Sequence, residues 1–330
     1  MTKGGLMRAI RFAETGGPEV LQLVEVETPS PGPGQILVRH EAIGLNFIET
    51  YQRSGLYPMK LPSGLGGEAA GVVEAVGDGV TRFKVGDRVA VAGGASSGTY
   101  ADASLANAQR AVHVPAGVDL RTAAAGLLKG MTTEFLLRQL HAVQPGETIL
   151  VHAAAGGVGQ IMVQWAKALG AVVIATVGSD AKAARVRELG ADHVILYRDQ
   201  DVAAEVRRIT DGKGVPVAYD SVGKDTFEGT LKSLARRGIF VSYGNSSGPP
   251  PPVEGRQLMV GGSLWFTRPT MGDYQVTTEE LDASAGALWD MIGSGKVKIE
   301  IGQTFPLTEA RKAHEALASR STIGASLLIP

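Results

Sequence analysis

The sequence predicts an α/β protein in which a doubly wound parallel sheet accompanies a small antiparallel β-barrel. Three observations predict it. Short β-rich runs broken by Gly and Pro fill the N-terminal part. Wholly apolar strand segments then alternate with helical ones. Between one such strand and the next helix lies a glycine-rich turn, VHAAAGGVGQ, at residues 151–160.

From Met7 to about Pro115 the runs QILVRHEAIGL, EAAGVVEAV, VGDRVAVAG and TYADASL are separated by PSPGPG, GDGV and GGASSG. Frequent turn signals between alternating apolar runs specify a small antiparallel barrel. Beyond Pro115 the period becomes helical over LRTAAAGLLKGMTTEFLLRQL. There follow, alternating, ETILVHAA, GVGQIMVQWAKALG, AVVIATV, DAKAARVREL, HVILY, VAAEVRRIT, VPVAYDSV, TFEGTLKSLARR, GIFVSYG and GSLWFTRP. Strands apolar throughout are expected where helices cover both faces of a parallel sheet. The run Pro249–Pro252 reads as an exposed loop with a strand after it, not as a linker. Past Pro269 come TEELDASAGALWDMIGSG, KIEIGQTFPL, EARKAHEALASR and GASLLIP, a tail too small to fold alone, which returns to complete the first domain. The expected domains are therefore residues 1–130 with 271–330, and residues 131–270.

At 330 residues, 44% hydrophobic and 20% charged, the chain buries a sizeable core in two domains. Its 32 basic and 33 acidic residues leave a net charge of -1, so no long-range field attracts nucleic acid or an anionic membrane, and neither partner is expected. With no cysteine, disulfides, zinc–thiolate ligation and a thiol nucleophile are excluded. MTKGGLMRAIRF lacks the apolar core and cleavage site of a secretory signal, and the uncharged run Thr148 to Ala166 is interrupted by His152, Gln160, Gln164 and glycines. A cytoplasmic location is expected.

In the glycine turn, Gly156 and Gly159 fill the second and third glycines of GxGxxG, and Ala154 stands where the first would be. The setting is strand, turn, helix, in which helix N-terminal amides and the helix dipole hold a pyrophosphate. Ala155, Gly156, Gly157, Val158 and Gly159 are thus candidate cofactor contacts; the alternative is a tight turn serving only helix packing. The first glycine mainly eases the turn, whereas the second admits phosphate to the backbone, so Ala154 costs little. The next strand, AVVIATV, ends at Val177 and is followed by GSDAK. No carboxylate stands there to accept from ribose hydroxyls, as one usually does in an NAD site. Gly178 offers space for a 2'-phosphate, Ser179 a hydroxyl and Lys182 a positive charge, although Lys182 taken alone reads as a solvated surface lysine; Asp180 is read as a helix N-cap. NADPH is the expected cofactor.

The barrel, the AAAGGVG loop, the returning tail and the strings NFIETYQRSGLYP, PSGLGGEAAGVV, YDSVG, SYGNSSG and TRP together resemble the zinc-free quinone oxidoreductases of the medium-chain dehydrogenase superfamily, the zeta-crystallin group. The resemblance runs from Met7 to Pro330 and implies a Rossmann sheet with a GroES-like β-barrel catalytic domain. Zinc-dependent relatives place a Cys in the segment GLNF and a His before the Glu of GLGGE; here those positions are Asn46 and Gly67, leaving Glu68. A catalytic zinc needs three protein ligands, so no metal is expected. The histidines His40, His113, His141, His152, His193 and His314 show no HxxxH spacing.

The resemblance further implies that Asn46, Tyr51 and Tyr57 line the nicotinamide and substrate cleft, with roles in positioning and proton donation. Both tyrosines read equally as barrel-edge packing. Lys129 and Thr132, in LLKGMTT at the domain junction, are also candidate cleft residues, although Lys129 reads as well as a helix cap. Cofactor contacts are implied at Asn46, Gly178, Lys182, Tyr197, Ser221, Tyr243, Ser246 and Arg320, the last resting wholly on the resemblance. Arg268 faces either cleft or solvent. Without a Lewis acid the expected reaction is NADPH-dependent reduction of a quinone, an electron-poor acceptor that needs only orientation and hydrogen bonds to the developing oxyanion. The alternatives are reduction of α,β-unsaturated aldehydes or ketones, and a non-catalytic NADPH- or RNA-binding protein. GASSG, at 94–98, matches the nucleophile-elbow pattern GxSxG but lacks the helix an elbow opens. A homodimer is expected, because GSLWFTRP reads as a long apolar strand at a sheet edge that needs covering.

Overall fold

The fold was analysed in a computed structural model that describes residues 5–93, 98–319 and 322–330. The chain divides into two compact units: Met1–Met131 with Gln275–Ser294 and Ile299–Pro330, and Thr132–Tyr274 with Gly295–Lys298. GASS at 94–97 and Arg320 lie outside the described residues.

The first unit contains β1 (Leu6–Phe12), β2 (Gln22–Glu27), β3 (Gln35–Leu45), α1 (Phe47–Ser54), β4 (Ser63–Gly64), β5 (Ala69–Val76), β6 (Arg88–Val91), β7 (Ala103–Asn107) and β8 (Ala111–His113), followed by most of α2 (Leu120–Glu134). Strand β3 is its spine. It pairs antiparallel with β5 and β7, and register shifts after Leu37 and His40 bend it, as barrel closure requires. Inside lie Phe12, Ile36, Val38, Ile43, Leu45 and Tyr100.

The second unit is built from β9 (Thr148–Val151), α3 (Gly157–Ala168), β10 (Val172–Val177), α4 (Asp180–Glu188), β11 (His193–Leu196), α5 (Val202–Ile209), β12 (Val215–Asp220), α6 (Phe227–Ser233), β13 (Leu234–Ser242), α7 (Gly255–Val260) and β14 (Trp265–Thr267). Its strands run parallel in the order β11-β10-β9-β12-β13-β14, the doubly wound Rossmann order whose ligands sit at the carboxyl edge. Helix α2 continues here as a π-helical stretch, Phe135–Leu140, and the buried Tyr219 hydroxyl donates to Leu136 O at 3.2 Å. The tail adds α8 (Thr278–Gly293), β15 (Ile301–Pro306), α9 (Ala310–Ala318) and β16 (Ala325–Ile329) to the first unit, where β16 pairs antiparallel with β3.

Three segments differ from the sequence expectation. The helix over TFEGTLKSLARR stops at Ser233, because Arg207 grips the carbonyls of Lys232 and Leu234 at the helix end and Leu234 enters the sheet core. The Pro run leads into helix α7, not directly into a strand. Strand β14 covers only Trp265–Thr267, because Gly262 (φ 107°) and Ser263 (φ 58°) turn the chain just before it.

Candidate active site

The two glycines of the turn do different work. Gly159 lies beneath the loop backbone: a Cβ there would stand 2.4 Å from Ala153 O and 2.6 Å from Ala154 Cα, so helix α3 packs this closely only because the side chain is absent. A Cβ on Gly156 would meet only Ala153 O, at 3.2 Å. Packing does not demand glycine there, whereas close approach of a ligand to the backbone does. Gly156 is the N-cap of α3, and the amides of the following turn, Gly157 to Gly159, are those a helix leaves without internal acceptors. Ala154 is buried in an ordinary conformation; the left-handed residue of the turn is Ala153, at φ 50°.

At the end of β10 the chain passes through Gly178, where a Cβ would fall 2.6 Å from Tyr197 Oη and 3.3 Å from Arg198 Nε. The N-cap of α4 is Ser179, whose Oγ accepts the Lys182 amide at 3.4 Å; Asp180, expected as the cap, is the first helical residue instead. Burial, and then the neighbouring Arg198, lower the pKa of the Lys182 ammonium. Arg198 has no ion pair among the described residues, so two cations converge beside a strand end that carries no acid. An anion placed there relieves that repulsion, and the 2'-phosphate of NADPH fits the donors. Sequence reasoning missed Arg198; its signal was a basic residue directly after the aromatic that closes the third strand.

Ser221 follows β12, and Tyr243 and Ser246 follow β13. Their loops are laced together: Tyr243 N donates to Asp220 O at 2.8 Å and Ser246 N to Ser221 O at 3.2 Å. All three therefore lie at the carboxyl edge of the sheet. Burial pushes the Tyr243 phenol up. Arg268 is exposed. Thr132, in the same unit, has its hydroxyl 4.0 Å from Met271 Sδ.

In the barrel unit Asn46 follows β3 and caps α1, and its side chain enters a buried polar cluster. Asn46 Nδ2 donates to Glu68 Oε2 at 2.9 Å, Lys129 Nζ to the same oxygen at 3.0 Å, and Leu128 N to Glu68 Oε1 at 2.7 Å. Lys129 therefore holds Glu68 and does not cap a helix end. Glu49 Oε2 accepts the Asn46 amide at 2.7 Å, and burial together with the nearby Glu68 pushes the Glu49 carboxyl up to about 8. Tyr51 is buried and meets half-buried Tyr57 edge-on, ring centroids 5.3 Å apart. Asn46, Tyr51, Lys129 and Glu68 thus share one unit with Tyr57, while Thr132 and the nucleotide residues belong to the other.

The donor set does not fit zinc. A ligand must offer a lone pair, yet the groups surrounding Glu68 Oε2, an amide N–H and an ammonium, are both donors. Among the described residues no three His, Cys, Asp or Glu side chains form a ligand set. The three buried histidines have other partners: His40 is bound to Ala101 O and Ser104 Oγ, His152 to Thr176 and Thr230, and His314 to Arg53 and Tyr100.

Comparison with known proteins agrees with this geometry. Residues 32–137 match the alcohol dehydrogenase GroES-like domain family, and residues 157–284 the zinc-binding dehydrogenase family. A quinone oxidoreductase of Pseudomonas aeruginosa is 52% identical over 326 residues, spanning 98% of this chain and 100% of its own length. A 2-haloacrylate reductase from Burkholderia is 46% identical over 332 residues, spanning 98% and 99%. The solved structure of Escherichia coli quinone oxidoreductase complexed with NADPH superposes with a TM-score of 0.96 at 49% identity, covering 98% of this chain and 100% of that one. Full-length identity near one half, with both units matched, means that this chain belongs to the quinone oxidoreductases of the medium-chain dehydrogenase/reductase superfamily.

Proposed function

We propose that this chain reduces quinones with NADPH and without a metal, binding the nucleotide on the Rossmann unit and the acceptor on the barrel unit. What carries the reading is Glu68: beside the positions where zinc-dependent relatives place a Cys and a His, its oxygen here receives two donors, Asn46 and Lys129. Bound NADPH supplies the hydride. The protein's own residues bind and orient. The first-turn amides of α3 hold the pyrophosphate over Gly156, and Lys182, Arg198, Ser179 and Tyr197 receive the 2'-phosphate, with charge-assisted bonds from the two cations. Ser221, Tyr243 and Ser246 line the carboxyl edge toward the nicotinamide. Asn46 is fixed at both ends, its amide N–H by Glu49 and its side chain by Glu68, so its orientation costs nothing at the moment of reaction. The phenols of Tyr51 and Tyr57 supply hydrogen bonds and a proton to the oxygen on which charge develops.

A conjugated carbonyl is the second reading, favoured by the 46% identity to a 2-haloacrylate reductase. It needs the same oxyanion stabilisation. Purified protein supplied with NADPH and, separately, benzoquinone, naphthoquinone and an enal is expected to consume NADPH fastest with the quinones. Efficient turnover of the enal alone would replace the first reading with the second, and binding of NADPH with no turnover at all would leave a binding protein. Metal analysis is expected to find no stoichiometric zinc; one zinc per chain would overturn the metal-free assignment.

The protein acts in the cytoplasm as a homodimer and binds no nucleic acid, in keeping with its net charge of -1. The dimer is supported by edge strand β14, whose Trp265 is 65% exposed, and by Met259 and Val260 of α7, 66% and 72% exposed. Sedimentation as a monomer would contradict it.

A further inference from the structure

Ala153, the first residue of the glycine turn, is one of four non-glycine residues with positive φ in the described chain. An L-residue adopts this shape only at a cost, and such strain persists where the surroundings over-determine it. Both neighbours of Ala153 are pinned to one threonine of β10: His152 Nδ1 lies 3.0 Å from Thr176 Oγ1, and Ala154 N donates to Thr176 O at 3.2 Å. His152 is held on two further sides. Its amide donates to Tyr219 O at 3.0 Å, and its Nε2 lies 3.0 Å from Thr230 Oγ1 on α6.

The contacts continue into the other cofactor loop. Thr230 Oγ1 is 3.2 Å from Asp220 Oδ2, which also accepts from Thr226 Oγ1 at 2.6 Å. Asp220 Oδ1 accepts the amides of Val222 at 2.6 Å and Gly223 at 3.1 Å, fixing the turn that begins at Ser221. His152, Thr176, Thr230 and Asp220 are all buried. The protons can be placed. Thr230 has one; given to Asp220 Oδ2 or to Thr226 O, at 2.7 Å, it leaves the hydroxyl's lone pairs to accept an Nε2–H from His152. Nδ1 is then bare and accepts the Thr176 hydroxyl. Burial lowers the imidazole pKa, which keeps the ring neutral.

We propose that His152 is a positioning residue for the cofactor: its imidazole locks Ala153 in the left-handed shape and ties the glycine loop to the Ser221 turn through Thr230 and Asp220, so that both loops are formed before NADPH arrives. The inference rests on the reading that NADPH binds at these loops. A latch of this kind acts on nucleotide affinity, because a loop already ordered loses less freedom on binding.

The test is a coupling measurement. NADPH is titrated by protein fluorescence against wild type, His152→Ala, Ala153→Gly and the double variant, with steady-state kinetics on each. His152→Ala is expected to weaken NADPH binding and raise its KM about tenfold, with kcat at saturating NADPH and KM for quinone within about twofold. Ala153→Gly is expected to bind within about twofold of wild type, since glycine adopts positive φ freely. In that background the His152 substitution should cost less than about threefold, the strain it held having been removed. Thr230→Val keeps the imidazole and removes its Nε2 partner; it should reproduce part of the loss, and it carries the same comparison if His152→Ala does not fold. A loss undiminished by Ala153→Gly, or variants that bind NADPH as wild type does and differ only in melting temperature, would overturn the proposal. Wild-type protein that binds no NADPH would remove the cofactor reading itself, and this inference with it.

Discussion

Lys129 Nζ stands 3.0 Å from Glu68 Oε2, with the two side chains only 6% and 0% exposed. Removing one member of a buried pair strands the other charge, at a cost of about 3–5 kcal/mol. Lys129→Met should therefore lower the unfolding free energy by about that amount in urea titrations. The double variant Lys129→Met, Glu68→Gln should recover much of the loss, because no bare carboxylate is left. If the single and double variants lose equal stability, the lysine contributes packing and not charge.

Past the end of β10, Arg198 lies beside Gly178 and close enough to Lys182 to lower its pKa. Each charge-assisted bond to a phosphate is worth roughly 1.5–3 kcal/mol, so Lys182→Ala and Arg198→Ala should each raise the KM for NADPH about tenfold or more. The KM for NADH should stay within about twofold, since NADH brings no second anion to the site. Added salt should weaken NADPH more than NADH in the wild type. Equal effects of either substitution on the two nucleotides would remove the 2'-phosphate from this position.

The doubly wound sheet was legible because its strands are continuously apolar and its helices keep their own period, and because the glycine turn falls between the two. Gly159 could be assigned from spacing alone. The Lys129–Glu68 pair could not: its members are 61 positions apart on different elements, and no local pattern links a helical lysine to a loop glutamate. Arg198 was hidden for another reason, since a lone arginine beside Asp199 looks like surface until the fold places its Nε 3.3 Å from where a Cβ on Gly178 would stand. Helical period ran on through LARR, yet the sheet core claimed Leu234, a tertiary contact overriding local propensity. Asn46, Tyr51 and Tyr57 were named through the family resemblance, and their shared segment keeps them together in space.

Buried titratable groups set the pH range of stability. Burial depresses His40 to about 4 and His314, which also faces Arg53, to about 3, against 6.5 for a free imidazole. The unfolded state takes up these protons first, so stability present above pH 6.5 falls as the pH drops toward 4 and then 3, by about 1.4 kcal/mol per unit of separation for each group. Glu49 has the opposite sign. Its carboxyl is raised to about 8 from 4.5, the folded state holds the proton longer, and stability falls as the pH rises between those values. Urea midpoints measured across pH should decline on both sides of about 6.5, and Glu49→Gln should flatten the alkaline decline and steepen the acid one between pH 6.5 and 4.5, where the carboxyl partly offsets the histidines. An alkaline limb unchanged in Glu49→Gln would show that this carboxyl is already ionised at neutral pH.

Gly156 and Gly159 allow binding and packing to be separated within one loop. A methyl at Gly159 would meet backbone at 2.4 and 2.6 Å, and backbone cannot rotate away as a side chain can. Gly159→Ala should therefore cost about 1–3 kcal/mol of stability by forcing α3 off the sheet. At Gly156 the same methyl meets only Ala153 O, at 3.2 Å, and the φ of -78° suits alanine. Gly156→Ala should fold with a melting temperature within a few degrees of wild type. It should nonetheless weaken NADPH about tenfold, because the methyl would project where the pyrophosphate must approach the backbone. Thermal unfolding and NADPH titration on the two variants give the contrast directly. If Gly156→Ala binds NADPH as wild type does, the pyrophosphate does not lie over this residue, and the loop's second glycine serves the turn alone.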